Sequence, residues 1–319
     1  MSCWNVACDR SGPRPDTDFP PANPSAKEDM EQYELEAIGR VTQRPARSYR
    51  TLEVAGLTPV IGAEVSGVDL SQELSDEQLQ EVRTAFLDHH VLVFRDQILT
   101  QEQHKRFAAH FGELRPVNPP PPDADPYILE INTRAEAANV SGNGWHADGT
   151  ADAEPSLGSM LYLTRVPEPG CGGDTMFANM HLAYEMLSPA LRGLLDGLTA
   201  IHDGALAIGS YKLPPDYVVP RSEHPLVVRH PETDRRLLYV NKAYTDRIPQ
   251  LSPGESRALL DLLFEVIAQR PLLHCRVAWR PNTLVFWDNR CVQHHAVYDY
   301  YPHTRYGQRV AINGGPLKS

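Results

Sequence analysis

Thr283-Leu284-Val285-Phe286-Trp287-Asp288-Asn289-Arg290-Cys291-Val292-Gln293-His294-His295 opens with a run of large apolar residues and closes on a polar cluster. Leu284 to Phe286 is too short and too evenly apolar for an amphipathic helix, and it reads as a rigid strand. Working outward, similar runs recur at 127–131, 157–164, 226–228, 237–240, 276–279 and 309–313, separated by Gly and Pro turns. Val60 to Val65 alternates, and Val91-Leu92-Val93-Phe94 is a further buried strand. This pattern predicts a mainly β chain with flanking helices, built as a barrel or a double-sheet jelly roll. The helices announce themselves by their caps. Ser75-Asp76-Glu77-Gln78 is a capping box for a helix over 76–89, and Thr100-Gln101-Glu102-Gln103 opens another before Gly112. Ser188-Pro189 and Ser252-Pro253 start two more, each with Pro at the first helical position.

The 319 residues carry 30 Lys and Arg against 41 Asp and Glu, a formal charge of −11. That sign opposes binding to nucleic acid or to an anionic membrane, so a small molecule is the expected partner. The cysteines at 3, 8, 171, 275 and 291 show no metal-ribbon spacing, and no apolar run is long enough for a signal peptide or a membrane span. A cytoplasmic protein is expected. Residues 1–47 mix proline with acidic residues and lack a hydrophobic period, which predicts a poorly ordered tail ahead of one domain over 48–319.

Four constellations carry chemistry. In Trp145-His146-Ala147-Asp148 the imidazole and carboxylate lie two residues apart, on one side of an extended segment. His294, placed just past the strand end at Phe286, can complete a set of two histidines and one carboxylate, the donor set of non-haem Fe(II) oxygenases. His295 is the alternative ligand, but adjacent strand residues face opposite ways, so only one of the pair can serve. Arg305 and Arg309 share a strand face with Gly307, where a guanidinium can grip a carboxylate through two hydrogen bonds. Gly170-Cys171-Gly172-Gly173-Asp174-Thr175 permits a tight turn and offers a hydroxyl, and it matches no phosphate-binding loop.

In this order, together with Gly62-Ala63-Glu64-Val65-Ser66-Gly67-Val68-Asp69-Leu70 and Phe111-Gly112-Glu113-Leu114, the motifs resemble the taurine/2-oxoglutarate dioxygenase (TauD/TfdA) family of Fe(II)-dependent oxygenases. The resemblance spans about Leu52 to Gly314 and implies a double-stranded β-helix, a jelly-roll variant. It further implies that His146, Asp148 and His294 bind Fe(II), that Thr175 and Arg305 hold the distal carboxylate of 2-oxoglutarate, and that Arg309 faces an anionic group of the substrate. The reaction it implies consumes O2 and 2-oxoglutarate, releases succinate and CO2, and hydroxylates a small, anionic organic molecule. Asp148 favours hydroxylation over halogenation, because related halogenases carry a small residue there.

Taurine itself is disfavoured. Arg115-Pro116-Val117-Asn118 stands where taurine-specific members have a histidine, and Ser141-Gly142-Asn143-Gly144 lacks their polar contacts. Arg115 is either a second positive charge for a sulfate ester, sulfonate or carboxylate, or a surface arginine; Asn143 is a further candidate contact. The proline-crowded 116–126 segment and 203–222 are expected to cover the site. The family resemblance favours a dimer or tetramer. Competing readings are a zinc hydrolase on the same His/Asp/His set and a non-catalytic jelly-roll binding protein.

Overall fold

The computed structural model describes residues 34–43, 47–120, 124–133, 142–208 and 213–319. Eight strands form the large sheet: β1 (Glu53–Gly56), β2 (Ala63–Ser66), β3 (Val91–Phe94), β4 (Leu114–Arg115), β5 (Leu129–Thr133), β6 (Gly158–Arg165), β14 (Thr283–Asp288) and β16 (Arg305–Ile312). Its order is β1-β2-β3-β14-β6-β16-β4, with β5 also on the far edge of β16. All neighbours run antiparallel except β2 and β3. The small sheet is β13 (His274–Val277), β7 (Thr175–Asn179) and β15 (Val292–Ala296), in that order. Outside it lie β12-β8-β9, with β8 (Thr199–Asp203), β9 (Arg221–Pro225) and β12 (Thr245–Arg247), and the pair β10 (Val227–Arg229) and β11 (Arg236–Leu238).

The helices are α1 (34–42), α2 (Asp76–His89), α3 (Gln101–Ala109), α4 (Met180–Glu185), α5 (Pro189–Leu195), α6 (Ala205–Ile208) and α7 (Pro253–Gln269). The expected capping boxes close the N-termini of α2 and α3, and Pro189 and Pro253 open α5 and α7. Among the described residues no helix is long and apolar enough to cross a membrane.

Of the two β layouts, the structure has the double-sheet jelly roll, with open sheets. The strand β14 shows why. All six of its residues are buried, and side-chain alternation divides them between two cores. Val285 and Trp287 pack with Phe177, Val277 and Val292 of the small sheet. Leu284 and Phe286 join Phe86 of α2 and Phe107 of α3 on the other face. The Phe86 and Phe286 rings stack 3.9 Å apart. A strand covered on both faces favours a continuous apolar run, which is how 284–287 reads between Thr283 and Asp288.

Two expectations need correction. The tail expected through residue 47 ends earlier: 34–42 is helical, with Ala37 and Val41 buried in the core cluster that also holds Leu182 of α4 and Leu263 of α7, and with Arg40 paired with Glu185 at 2.8 Å. The apolar positions 37 and 41 lie one helical turn apart, too sparse a signal to stand out amid the neighbouring charges. The remainder of that tail, 1–33 and 44–46, lies outside the described residues. His294 does not sit just past a strand end; it is the third residue of β15, because the chain turns at 289–291 and enters the small sheet.

Truncating Phe286 to Ala is expected to cost about 3–5 kcal/mol, since the cavity opens between two packed helices and a central strand. The urea-denaturation midpoint measures it, with an unchanged slope. Burial also depresses His104 to about 3 and, with the charge of His224 as the next cause, His202 to about 3. The unfolded chain takes up protons there below about pH 6.5 that the folded chain refuses, so stability is lost as pH falls through that value. Lowering the pH from about 7 to about 5 is expected to cost about 2 kcal/mol per histidine. Urea melts across that range, on wild type and His104→Gln, test it; an equal slope in the two proteins removes His104 from the account.

Candidate active site

His146 and His294 meet through the backbone before their side chains meet. Each donates its N–H to the other's carbonyl, at 3.1 and 2.8 Å, which joins the 146 segment to β15 as a one-residue antiparallel bridge. Their rings then stand 4.1 Å apart. Asp148 is brought in by the turn after β14. Asn289 Oδ1 accepts the Asp148 N–H at 2.8 Å, and Asn289 Nδ2 donates to the Asp148 carbonyl at 2.8 Å. The Asp148 carboxylate is thereby held with Oδ1 3.9 Å from Nε2 of each histidine. Ser159 Oγ donates to Oδ2 at 3.0 Å, and Arg309 Nη1 lies 2.6 Å from Oδ1.

His146, Asp148 and His294 form a group whose donor atoms all lie within 4.8 Å of one another, a set able to hold a metal ion. The donor chemistry fits. Burial opposes a charge on Asp148, but Arg309, His294 and His146 outweigh it and hold the carboxyl below the usual range, so it is anionic. Burial, and then the neighbouring His146, push His294 well below the ordinary histidine value, leaving a neutral imidazole. His146 Nδ1 is 2.9 Å from the Gly144 carbonyl, which orients the ring and leaves Nε2 toward Asp148. His295 faces the other way, edge-on to Trp145 at 5.7 Å, and its Nε2 meets Asn143 Oδ1 at 3.1 Å. Asn143 therefore spends its amide oxygen on His295.

Thr175 and Arg305 begin β7 and β16, and both are buried. They are linked by Trp279: its Nε1 donates to Thr175 Oγ1 at 3.0 Å, and the Arg305 guanidinium lies 5.6 Å from its ring centre. Tyr300 flanks the same guanidinium at 5.7 Å. Burial lowers the Arg305 pKa, and its Nε has no hydrogen-bond partner. Among the described residues no carboxylate is ion-paired with it; Asp174 and Asp299 are instead on Arg276, at 2.5 and 3.3 Å. A buried guanidinium without a counter-anion is costly, and a ligand carboxylate is the chemistry that satisfies it.

Asp148 and Arg309 line a cavity of about 460 Å³. Pro116 and Pro119 from 116–126, and Tyr217 and Pro220 from 203–222, form other parts of its wall, as expected of the covering segments. Arg115 reaches this cavity but is engaged, with Nη2 2.6 Å from Asp152 Oδ2 and Nη1 2.9 Å from the Glu154 carbonyl. Several participants escaped sequence reasoning. Asn289 sits inside the quoted 283–295 stretch, and its place in the turn between strands was the available signal; Ser159 and Trp279 carried none.

The family model described as "Taurine catabolism dioxygenase TauD, TfdA family" matches residues 53–311. The chain belongs to this family. It is 35% identical over 269 residues to an alpha-ketoglutarate-dependent dioxygenase, cnsM, of Penicillium expansum, covering 79% of this chain and 74% of that protein. Against an alkylsulfatase of Acinetobacter baylyi the identity is 34%, covering 82% and 85%. Among solved structures, a putative alpha-ketoglutarate-dependent taurine dioxygenase from Burkholderia xenovorans superposes with a TM-score of 0.74 at 37% identity, covering 83% of this chain and 94% of that one. These relations place the chain among the alpha-ketoglutarate-dependent dioxygenases, which are oxidoreductases; alpha-ketoglutarate is 2-oxoglutarate.

Asn289→Ala is expected to weaken metal binding about 10–100-fold, because it frees the backbone that aims Asp148. Titration of the purified protein with Mn(II), followed by electron paramagnetic resonance, measures this. Unchanged affinity would show that Asp148 is aimed without the amide.

Proposed function

We propose that this chain is an Fe(II)- and 2-oxoglutarate-dependent dioxygenase that hydroxylates an organic molecule with an anionic head and an apolar body. The observation that carries the reading is the pairing of a His146/Asp148/His294 donor set with a buried, counter-ion-free Arg305 beside Thr175. Bound iron would supply a redox-active centre with three positions left for 2-oxoglutarate and dioxygen, by which oxidative decarboxylation to succinate and CO2 is coupled to attack on a C–H bond.

The protein's own part is positioning. Arg305 and the Thr175 hydroxyl take the distal carboxylate of 2-oxoglutarate, which fixes the direction from which its other end approaches the histidines. Arg309 keeps four further N–H donors when one nitrogen hydrogen touches Asp148, and we assign them to the substrate's anionic group. Both arginines have a carboxylate at 2.6 Å, but Arg115 also donates to the Glu154 carbonyl, whereas the Asp148 charge beside Arg309 would be shared with the bound metal, so we assign the anion's place to Arg309. Val117, Leu129, Ala151, Ile208 and Leu213 line the cavity and suit an alkyl or aryl body. Acidic compounds of this kind appear in the names of relatives: one is an (S)-phenoxypropionate dioxygenase from Sphingobium herbicidovorans, another a sulfate ester dioxygenase from Pseudomonas putida.

The test is succinate release by the purified chain with Fe(II), 2-oxoglutarate and a panel of alkyl sulfates, alkyl sulfonates and phenoxyalkanoates. At least one class is expected to stimulate it, and His146→Ala is expected to abolish it. Product formation under strict anaerobiosis would point instead to hydrolysis and sink the proposal. Arg305→Met is expected to raise the 2-oxoglutarate KM at least about 30-fold, equivalent to about 2 kcal/mol for a lost buried ion pair. An unmoved KM would remove Arg305 from that role.

A further inference from the structure

A second group of ligating side chains lies away from His146, Asp148 and His294. His90 follows α2, His181 is the second residue of α4, and Cys291 ends the turn between β14 and β15. All three are buried, and one ring nitrogen from each histidine and the Cys291 Sγ lie within 4.8 Å of one another.

Their hydrogen bonding shows which atoms are left over. His181 Nδ1 is 2.8 Å from the Arg236 carbonyl, so that nitrogen carries the proton and Nε2 keeps its lone pair. That Nε2 is buried without a partner, and so is His90 Nδ1. The neighbouring groups are satisfied by contrast. His230 Nε2 is 2.9 Å from Asp288 Oδ2, its Nδ1 accepts from the Glu232 and Thr233 N–H groups, and Arg290 holds both Asp288 oxygens at 2.7 Å. Other buried atoms lack partners too, among them His104 Nε2, His202 Nε2 and Thr233 Oγ1, but His90 and His181 are the pair whose ring nitrogens also come together with a thiol. A carbonyl behind an imidazole, with the opposite nitrogen free, is the arrangement that orients a metal-binding histidine.

We propose that His90, His181 and Cys291 form a second metal site, for a thiophilic ion of the Zn(II) or Cu(I) kind. Sulfur separates it from the oxygen-bearing set at Asp148, because thiolate ligands select zinc and Cu(I). Such an ion would fasten together the end of α2, the start of α4 and the turn that carries Asn289. The site would thus brace Asp148 from behind, without touching substrate.

Co(II) reports the difference, since it replaces zinc and gives a sulfur-to-cobalt charge-transfer band in the near ultraviolet only when a thiolate is bound. Full-length protein from cobalt-supplemented culture is expected to hold two Co(II) per chain and to show that band. Asp148→Ala should keep the band and lose one equivalent; Cys291→Ser should lose the band. His90→Asn, which tolerates the left-handed backbone at φ 65°, should weaken retention of the band's cobalt against a chelator at least tenfold. Folded wild type with one Co(II) and no sulfur band overturns the proposal, whatever the fate of the variants. So does a band that persists in Cys291→Ser, which would belong to another cysteine. An arm with Cu(I) under anaerobic conditions distinguishes the two ions by their relative retention.

Discussion

The side-chain amide of Asn289 is where fold and site depend on each other. It occupies the turn at which the chain leaves the large sheet through β14 and enters the small one through β15. Facing inward, it closes two hydrogen bonds on the backbone of Asp148 and a third, at 3.3 Å, on the Ser156 carbonyl. A buried carboxylate is affordable only with directed partners, and those of Asp148 come from elsewhere: Ser159 of β6 and Arg309 of β16. His294 comes from the small sheet, and His146 is bound to it by the backbone. The donor set therefore straddles both sheets, and the turn at 289 sets the distance between its halves. Asn289 is 1% exposed, so no water competes for those bonds.

The electrostatics of the interior runs against that of the whole. A chain of formal charge −11 buries Arg305 at 4% exposure and leaves its Nε without a partner. Nearby acids are already spent: Asp174 and Asp299 on Arg276, Asp152 on Arg115. This assignment of acids to other cations is what keeps the interior positive where an anionic ligand would need it. Net charge sets how the molecule behaves toward polyanions and says nothing about a pocket in which two or three residues decide the field.

Much of this is legible in the sequence, for identifiable reasons. The β14 strand betrays itself because burial on both faces favours a continuous apolar run, and α2 and α3 because their capping boxes are local chemistry. The three donor residues are legible as residue types at fixed spacing. What stays hidden is whatever depends on distant partners. β7 reads as part of a glycine turn, since its strand character comes from pairing with β13 and β15 on either side. The bridge from Trp279 to both Thr175 and Arg305 joins positions 104 and 26 residues away in the chain, with no local pattern to mark it. α1 is hidden for another reason: two buried positions, Ala37 and Val41, are enough to dock a short helix but too few to register as a period.

On the proposed reading, the strand β16 would also keep two anions apart in one site. Arg305 and Arg309 lie four residues apart on one side of a strand, a span of about 13 Å at roughly 3.3 Å per residue. Helical spacing would have set four residues about 6 Å apart, close enough for both guanidinium groups to grip a single carboxylate. Between them on the same face is Gly307, where a Cβ would run into the Tyr162 carbonyl, so no side chain fills the interval. Arg305 is enclosed by Trp279 and Tyr300, which suits a ligand of fixed shape, whereas Arg309 opens on the 460 Å³ cavity, which suits a body of variable shape. The rigid backbone, more than either side chain, would thus give each anion its own cation and its own distance from Asp148.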